Sequence, residues 1–324
     1  MAVSDNGTLL YAPAIEAERF QPVWFTRDGR STPVDSSWSF VPGSAATVSP
    51  DGKRLAVAIE DGRSSDIWLK ELVPGGSLSR LTFSGDVRSP EWTHDGNALI
   101  YMNVLDENRA GFLRRRSVQG TDSGRTLLRT ARNIASIALL RDSSRVLIRF
   151  GPPATRDIYL WRVGTPSADS LVPLLANDRQ EEVAMNLSPD ERWLAYASDE
   201  SGRFEVYVVP FPDVKADKWQ VSVAGGRSPR WARSGKELFF RELTGGLVAV
   251  PVSVGSIPTF GERRLLFRPE GIRSDPMSVQ FDVSPDDRRF LLLQRTHRDG
   301  EDAATTVLVQ HWLTDVRGRM KGTR

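Results

Sequence analysis

Ser49-Pro50-Asp51-Gly52, leading into Leu55-Ala56-Val57-Ala58-Ile59, is the stretch that decides the fold. In a tight turn, proline presets φ at the first central position, aspartate accepts a hydrogen bond from the backbone two residues on, and glycine tolerates the positive φ that closes a hairpin. The apolar run that follows shows no alternation of polar and apolar side chains. The pattern therefore predicts a turn followed by a strand that is buried on both faces.

The same turn-and-strand unit recurs along the whole chain. Its variants are Ser4-Asp5-Asn6-Gly7, Thr93-His94-Asp95-Gly96, Arg141-Asp142-Ser143-Ser144, Ser188-Pro189-Asp190-Glu191, Arg233-Ser234-Gly235 and Ser284-Pro285-Asp286-Asp287. The fourth turn position falls at residues 7, 52, 96, 144, 191, 235 and 287, a mean spacing of about 47 residues, which lies in the range of β-propeller blades.

Further runs of β-branched and aromatic residues, such as Asp66-Ile67-Trp68-Leu69, bring each unit to about four strands. We therefore predict an all-β protein, a β-propeller of seven four-stranded antiparallel blades, or of six if the two end modules share a blade. The predicted single propeller domain spans residues 1–314, with modules at 1–36, 45–83, 88–130, 135–176, 184–223, 227–269 and 279–314. Residues 315–324 are predicted to form a basic C-terminal tail.

Several stretches carry a family resemblance. They are Leu187-Ser188-Pro189-Asp190, Ser201 to Pro212, Lys218-Trp219-Gln220-Val221-Ser222, Gly225 to Trp231 and Phe281 to Pro285. The ordered set resembles the WD40-like PD40 repeats of TolB-type β-propellers, and most closely the propeller regions at the carboxyl end of bacterial serine/threonine protein kinases. The kinase motifs themselves are not in the sequence. The resemblance implies a protein- or ligand-sensing propeller, here as a fragment, a stand-alone relative or the product of a late start.

Composition argues against several classes of function. The 324 residues include no cysteine, which excludes disulfides and thiolate chemistry, and the net charge of +2 does not predict nucleic-acid binding. No apolar run is long enough for a membrane span, and no secretion signal begins the chain. The sequence does not fix the compartment: the protein is cytoplasmic if the chain is taken as written, and periplasmic if it is a fragment of a membrane-anchored kinase.

No sequence motif points to an active site. There is no Gly-x-Ser-x-Gly nucleophile motif, and His94, His297 and His311 lack the spacing of metal ligands. We therefore expect a monomeric, non-catalytic binding or scaffold module with a protein or peptide partner, without cofactor or metal. Two enzymatic alternatives stay open. One is a hydrolase or lyase that uses carboxylates in the propeller channel. The other is the propeller of a prolyl-oligopeptidase-like protein without its hydrolase domain.

The loops that enter the innermost strands contain the candidate binding residues Arg88, Arg179, Arg227 and Arg273. A ring of arginines at one mouth of the channel would bind carboxylates of a peptide or another acidic ligand through paired hydrogen bonds. Alternatively, these arginines form salt bridges with Asp86, Glu182 and Asp275 and seal adjacent blades.

Overall fold

A computed structural model describes residues 2–4, 7–11, 17–44, 46–62, 64–104, 111–120, 123–151, 157–165, 170–176, 180–255, 257–273, 280–296, 307–310 and 312. The first strands are β1 (Ala2–Val3), β2 (Leu9–Tyr11), β3 (Phe20–Thr26), β4 (Ser31–Pro33), β5 (Val41–Pro42), β6 (Thr47–Val48), β7 (Arg54–Asp61), β8 (Ser64–Glu71), β9 (Leu78–Arg80) and β10 (Val87–Trp92). They continue with β11 (Ala98–Val104), β12 (Gly111–Ser117), β13 (Arg125–Thr130), β14 (Ile134–Leu139), β15 (Arg145–Phe150), β16 (Asp157–Arg162), β17 (Val172–Leu175), β18 (Glu182–Leu187), β19 (Trp193–Ser198) and β20 (Glu205–Pro210). The last are β21 (Trp219–Gln220), β22 (Arg227–Trp231), β23 (Glu237–Arg241), β24 (Leu247–Val254), β25 (Pro258–Phe260), β26 (Arg264–Phe267), β27 (Phe281–Val283), β28 (Arg289–Arg295) and β29 (Val307–Val309).

The chain divides into two compact units, one made of residues 1–19 and 296–324 and the other of residues 20–295. In the smaller unit, β1, β2 and β29 form an antiparallel three-stranded sheet. The larger unit is a β-propeller of six four-stranded antiparallel blades. Blades 2, 3 and 4 are the consecutive strands β10–β13, β14–β17 and β18–β21. In blade 1, β5 and β6 share the innermost position beside β7–β9; in blade 5, β25 and β26 share the outermost position beside β22–β24.

Blade 6 joins the two ends of the larger unit. Its inner strands β27 and β28 come from the end of that unit, and its outer strands β3 and β4 come from the beginning. Leu291 of β28 pairs with Trp24 of β3. The all-β propeller prediction is confirmed, and the blade count is six, the alternative in which the end modules share a blade. The single domain predicted over 1–314 stays a prediction, and residues 315–324 lie outside the described residues.

Apolar side chains between the blades close the ring. The innermost strand of each blade contacts that of the next, from blade 1 around to blade 6 and back. A buried apolar cluster fills each of the six boundaries between neighbouring blades. The second strands contribute to the clusters on both sides of their blade, which explains why their sequences read as unbroken apolar runs.

The repeated turn has the predicted hydrogen bonds. In the first full copy, Asp51 Oδ1 accepts from the backbone N–H of Lys53 at 3.1 Å and from the Ser49 hydroxyl at 2.6 Å, and Gly52 has a φ of 73°. Glu191 and Asp287 replace this glycine in blades 4 and 6 and take the same left-handed conformation, with φ of 58° and 59°. Their carboxylates accept backbone N–H groups from the turn of the preceding blade. The strained backbone at these two positions therefore supports a contact between blades that glycine could not make.

Within the described part of the chain, no helix has the length and apolar character that crossing a membrane requires.

Candidate functional site

The central channel of the propeller is lined by one side chain from each innermost strand, at the position two residues before the first residue of the turn. The backbone hydrogen bonds place that first residue at Ser49, Thr93, Leu140, Ser188, Ala232 and Ser284, so in blades 3 and 5 the turn begins one residue earlier than the sequence motif. These six residues are Thr47, Glu91, Ala138, Asn186, Arg230 and Asp282. In β10, β18 and β22 a β-bulge precedes this position, with Ser89, Ala184 and Ser228 at φ of 49°, 54° and 53°. A bulge re-aims the side chains that follow it. The bulges therefore help to set which residues line the channel.

Two of the six residues hydrogen-bond the backbone of the next blade. Asn186 Oδ1 accepts from the N–H of Trp231 at 2.7 Å, and Asp282 Oδ2 accepts from the N–H of Val48 at 2.8 Å. In each pair, the donor is the residue just before the turn of the following blade. Because a buried N–H without an acceptor is costly, these contacts stabilise the boundaries between blades 4 and 5 and between blades 6 and 1.

Asp282 is also the centre of a buried charge cluster. Its Oδ1 lies 3.5 Å from Arg230 Nε and 3.5 Å from Arg233 Nη2, and it accepts from the N–H of Val283 at 2.8 Å. Burial alone would favour the neutral acid. The two guanidinium groups and the backbone N–H donors outweigh it, and the pKa of Asp282 falls below its ordinary value. Asp282 is therefore ionised at neutral pH.

Glu91 has a contrasting environment at the same position in blade 2. It lines the channel half-buried, and within the described residues it has neither a hydrogen-bond partner nor an ion-pair partner. Burial raises the pKa of Glu91 to about 7; Arg230 opposes this shift and the charge of Asp282 adds to it. The channel thus holds one carboxylate that is ionised and one that exchanges its proton near neutral pH.

His94 lies where the channel opens at the face of the repeated turns. Burial, followed by the positive charges of Arg141 and Arg233, lowers the pKa of His94 below its ordinary value. The imidazole is therefore mainly neutral at pH 7 and can accept or donate a hydrogen bond there. Among the described residues, no three side chains of the His, Asp and Glu types come together as metal ligands. His297 and His311 lie outside the described residues.

The opposite mouth of the channel carries the predicted arginines that lie among the described residues, Arg88, Arg227 and Arg273. Arg88 is exposed near the start of β10, and Arg227 begins β22 with its Cζ 4.1 Å from the centre of the Phe204 ring. Burial lowers the pKa of Arg227, although Glu181 opposes the shift. Arg273 is half-buried, and its backbone N–H donates to the carbonyl of Leu293. Arg179 lies outside the described residues.

For the three arginines that the structure describes, it shows none of the expected sealing salt bridges. Within the described ranges, Arg88, Arg227 and Arg273 have no ion-pair partner, and Asp275 lies outside those ranges. Blades 2 and 5 stand three positions apart in a ring of six, so Arg88 and Arg227 lie on opposite sides of the mouth. The binding role predicted for the four arginines stays a prediction.

Sequence reasoning missed a set of acids that fix the loops at this mouth. Asp66 Oδ1 accepts from the Thr82 hydroxyl at 2.7 Å and from the N–H of Gly85 at 3.3 Å. Glu205 Oε1 likewise accepts from the N–H of Gly225 at 2.9 Å. Each acid begins the third strand or lies close to its start, as in Asp66-Ile67-Trp68-Leu69, and holds the loop that leads to the next blade. The sequence feature that could have revealed these residues is an acidic residue that recurs just before an apolar strand.

Comparison with known proteins supports the fold. No family model matches the chain, and no curated protein matches it. Among solved structures, a putative TolB from Agrobacterium tumefaciens is 16% identical with a TM-score of 0.62, covering 87% of this chain and all of that one. The periplasmic gluconolactonase of Pseudomonas aeruginosa is 18% identical with a TM-score of 0.54, covering 90% of this chain and 96% of that one. A prolyl endopeptidase is 14% identical with a TM-score of 0.50, covering 90% of this chain and 49% of that one. The fold is therefore that of a TolB-like propeller.

Proposed function

We propose that the propeller is a non-catalytic binding module, and that the mouth with Arg88 and Arg227 holds an acidic segment of a partner protein. The observation that carries this proposal is that neither arginine has an ion-pair partner among the described residues. Some other arginines of the ring do have an ion-pair partner, for example Arg27 with Glu237 at 2.6 Å and Arg149 with Glu181 at 3.6 Å. An unpaired guanidinium on each side of a mouth is suited to binding carboxylates.

Apolar side chains beside the arginines support a protein partner over a small ion. Phe83, Val223 and Leu243 are 68%, 52% and 48% exposed, and all three lie in loops at this end of blades 1, 4 and 5. Leu243 packs against Gly225, two residues before Arg227, where an added Cβ would come within 2.5 Å of Leu243 Cδ1. Interfaces between proteins combine such apolar contacts with arginine.

A labelled peptide of alternating glutamate and leucine tests the proposal by fluorescence anisotropy. We expect it to bind the wild type, and the double variant R88Q/R227Q to weaken binding at least about tenfold, because two charge-assisted contacts are lost. The matched control is R125Q/R162Q, which removes two exposed arginines from outer strands. Equal binding by both double variants, with unchanged thermal unfolding, would show that the mouth is not the site.

A more specific part of the proposal is that the chain is the sensor propeller of a bacterial serine/threonine kinase system and acts as a monomer. Its support is the sequence resemblance of the repeats, from Leu187-Ser188-Pro189-Asp190 onward. Reading the coding sequence upstream of Met1 tests it: a kinase domain and a membrane segment there would support the assignment, and an unrelated gene would remove its main support. Light scattering after size-exclusion chromatography tests the monomer.

The second candidate function is an enzyme that uses the channel carboxylates, and one observation favours it. The pKa values of Glu91 and Asp282 are moved in opposite directions, which is how paired acids divide the roles of proton donor and anion. A panel of esters, lactones, glycosides and peptides tests this function. Turnover that is lost in E91Q would support a hydrolase or lyase. Turnover that survives in E91Q would contradict a role for this acid.

A further inference from the structure

The channel itself contains a cavity distinct from the arginine mouth. A cavity of ≈ 160 Å³ within the ring adjoins one of ≈ 300 Å³ that opens at the turn face, and the two share Asn186, Arg230, Arg233 and His94 in their walls. Asn186 and Asp282 use their side chains to join neighbouring blades. The charged or titratable groups left for a ligand are thus Glu91, His94 and the guanidinium groups of Arg230 and Arg233.

The charges around this cavity do not cancel. Arg230 and Arg233 share a single ionised partner, Asp282, so one positive charge is left over when Glu91 carries a proton. The Nε of Arg230 is buried and has no hydrogen-bond partner, since its 3.5 Å distance to Asp282 Oδ1 satisfies an ion pair but not a hydrogen bond. A buried donor without an acceptor costs free energy that a bound anion would recover.

We propose that the channel binds a small organic carboxylate, with the carboxylate facing Arg230 and Arg233 and a hydroxyl group of the same molecule facing Glu91. Guanidinium groups bind planar carboxylates through paired N–H donors, and a carboxyl group can exchange hydrogen bonds with a hydroxyl in either protonation state. The cavity volumes admit a molecule of a few heavy atoms and exclude a folded peptide from the ring.

Binding of this anion is coupled to the protonation of Glu91. An ionised Glu91 repels the incoming carboxylate, whereas a protonated Glu91 does not. The other charged or titratable groups that face the channel are His94 from blade 2, Arg141 from blade 3, Glu191 from blade 4, Arg230 and Arg233 from blade 5, and Asp282 from blade 6. The pKa values of His94 and Asp282 are both lowered, whereas that of Glu91 lies at about 7. Glu182, whose pKa burial raises to about 8, begins β18 and does not line either cavity.

Titration with glycolate tests the proposal. Binding is monitored through the indole N–H NMR signals of Trp92 and Trp231, the residues directly after Glu91 and Arg230 in the sequence. We expect saturable shifts, with a Kd about tenfold lower at pH 6 than at pH 8, the ratio of protonated Glu91 for a pKa of about 7. Glycolamide, the uncharged analogue of glycolate, should not shift these signals. E91Q should bind at pH 8 as tightly as the wild type does at pH 6.

R233Q and R288Q form the matched pair of variants. Both residues are exposed and lie on the turn face, but only Arg233 of the two lines the cavity. R233Q should weaken glycolate binding at least about fivefold, and R288Q should leave it unchanged. Equal shifts with glycolamide, a pH dependence that persists in E91Q, or equal effects of R233Q and R288Q would each overturn the proposal. Because R233Q changes a partly exposed side chain, it keeps the test valid even if E91Q fails to fold.

Discussion

Blades 2 and 6 carry a carboxylate at the same position, two residues before the turn, and the two carboxylates differ in what holds them. Asp282 accepts two backbone N–H groups and pairs with two arginines, one of its hydrogen bonds joining blade 6 to blade 1. Glu91 lines the same channel without a partner among the described residues, and its pKa is raised to about 7. One position of a repeat can thus stabilise the ring in one blade and stay available for a ligand or a proton in another.

The largest expected effect is at Asp282. Replacement by alanine leaves Arg230, Arg233 and the N–H of Val48 without their acceptor, and removing one partner of a buried ion pair costs about 3–5 kcal/mol. We expect D282A to lower the free energy of unfolding in urea by that amount. D61A, which removes an exposed acid at the end of β7, is the control and should change it by less than about 0.5 kcal/mol. A loss for D282A as small as that of D61A would contradict the sealing role.

Asn186 should show a smaller effect of the same kind. N186A leaves the buried N–H of Trp231 without its acceptor, which costs about 1–3 kcal/mol. The exposed Asn97 lies in the turn of blade 2, and N97A serves as the matched control in the same urea experiment. If both variants unfold at the wild-type urea concentration, the side-chain bond between blades 4 and 5 contributes nothing to stability.

Replacement of Glu91 by glutamine should raise the free energy of unfolding rather than lower it, and the size of this effect should depend on pH. Between the ordinary pKa of 4.5 and the folded value of about 7, the folded state binds more protons than the unfolded chain. The free energy of unfolding of the wild type therefore falls as pH rises through this window. E91Q lacks this loss, so its stability advantage over the wild type should be small at pH 4.5, grow as pH rises and level off by about pH 8. Parallel pH profiles of the two proteins would show that Glu91 ionises as freely when folded as when unfolded.

Much of the fold could be predicted because its determinants are local. The turn Ser49-Pro50-Asp51-Gly52 closes its own hydrogen bonds, so the repeat, the strands and the propeller followed from the sequence. The number of blades could not be predicted in the same way, because blade 6 pairs β28 with β3 from the other end of the larger unit. A local sequence pattern carries no information on that pairing. The first and last turn motifs, at Ser4 and Ser284, therefore do not each contribute a separate blade.

The candidate site was harder to predict for a related reason. Glu91, Arg230 and Asp282 come together only when the ring closes, and none of them belongs to a recognised motif. Their shared position two residues before the turn was visible in the sequence. What the position does depends on whether the side chain reaches the backbone of the next blade, as Asn186 does and Glu91 does not. The arginines at the opposite mouth were selected as candidates because they recur in the loops before the innermost strands, and their binding role stays a prediction.

The central claim is that Glu91 is a channel carboxylate left free of structural contacts, and its own titration tests this most directly. The side-chain carboxyl carbon of Glu91 can be followed by ¹³C NMR from pH 3 to pH 9 and identified by its disappearance in E91Q. We predict a midpoint of about 7, set by burial in the channel. A midpoint near the ordinary value of 4.5 would show an ionised, solvated side chain and would contradict the account.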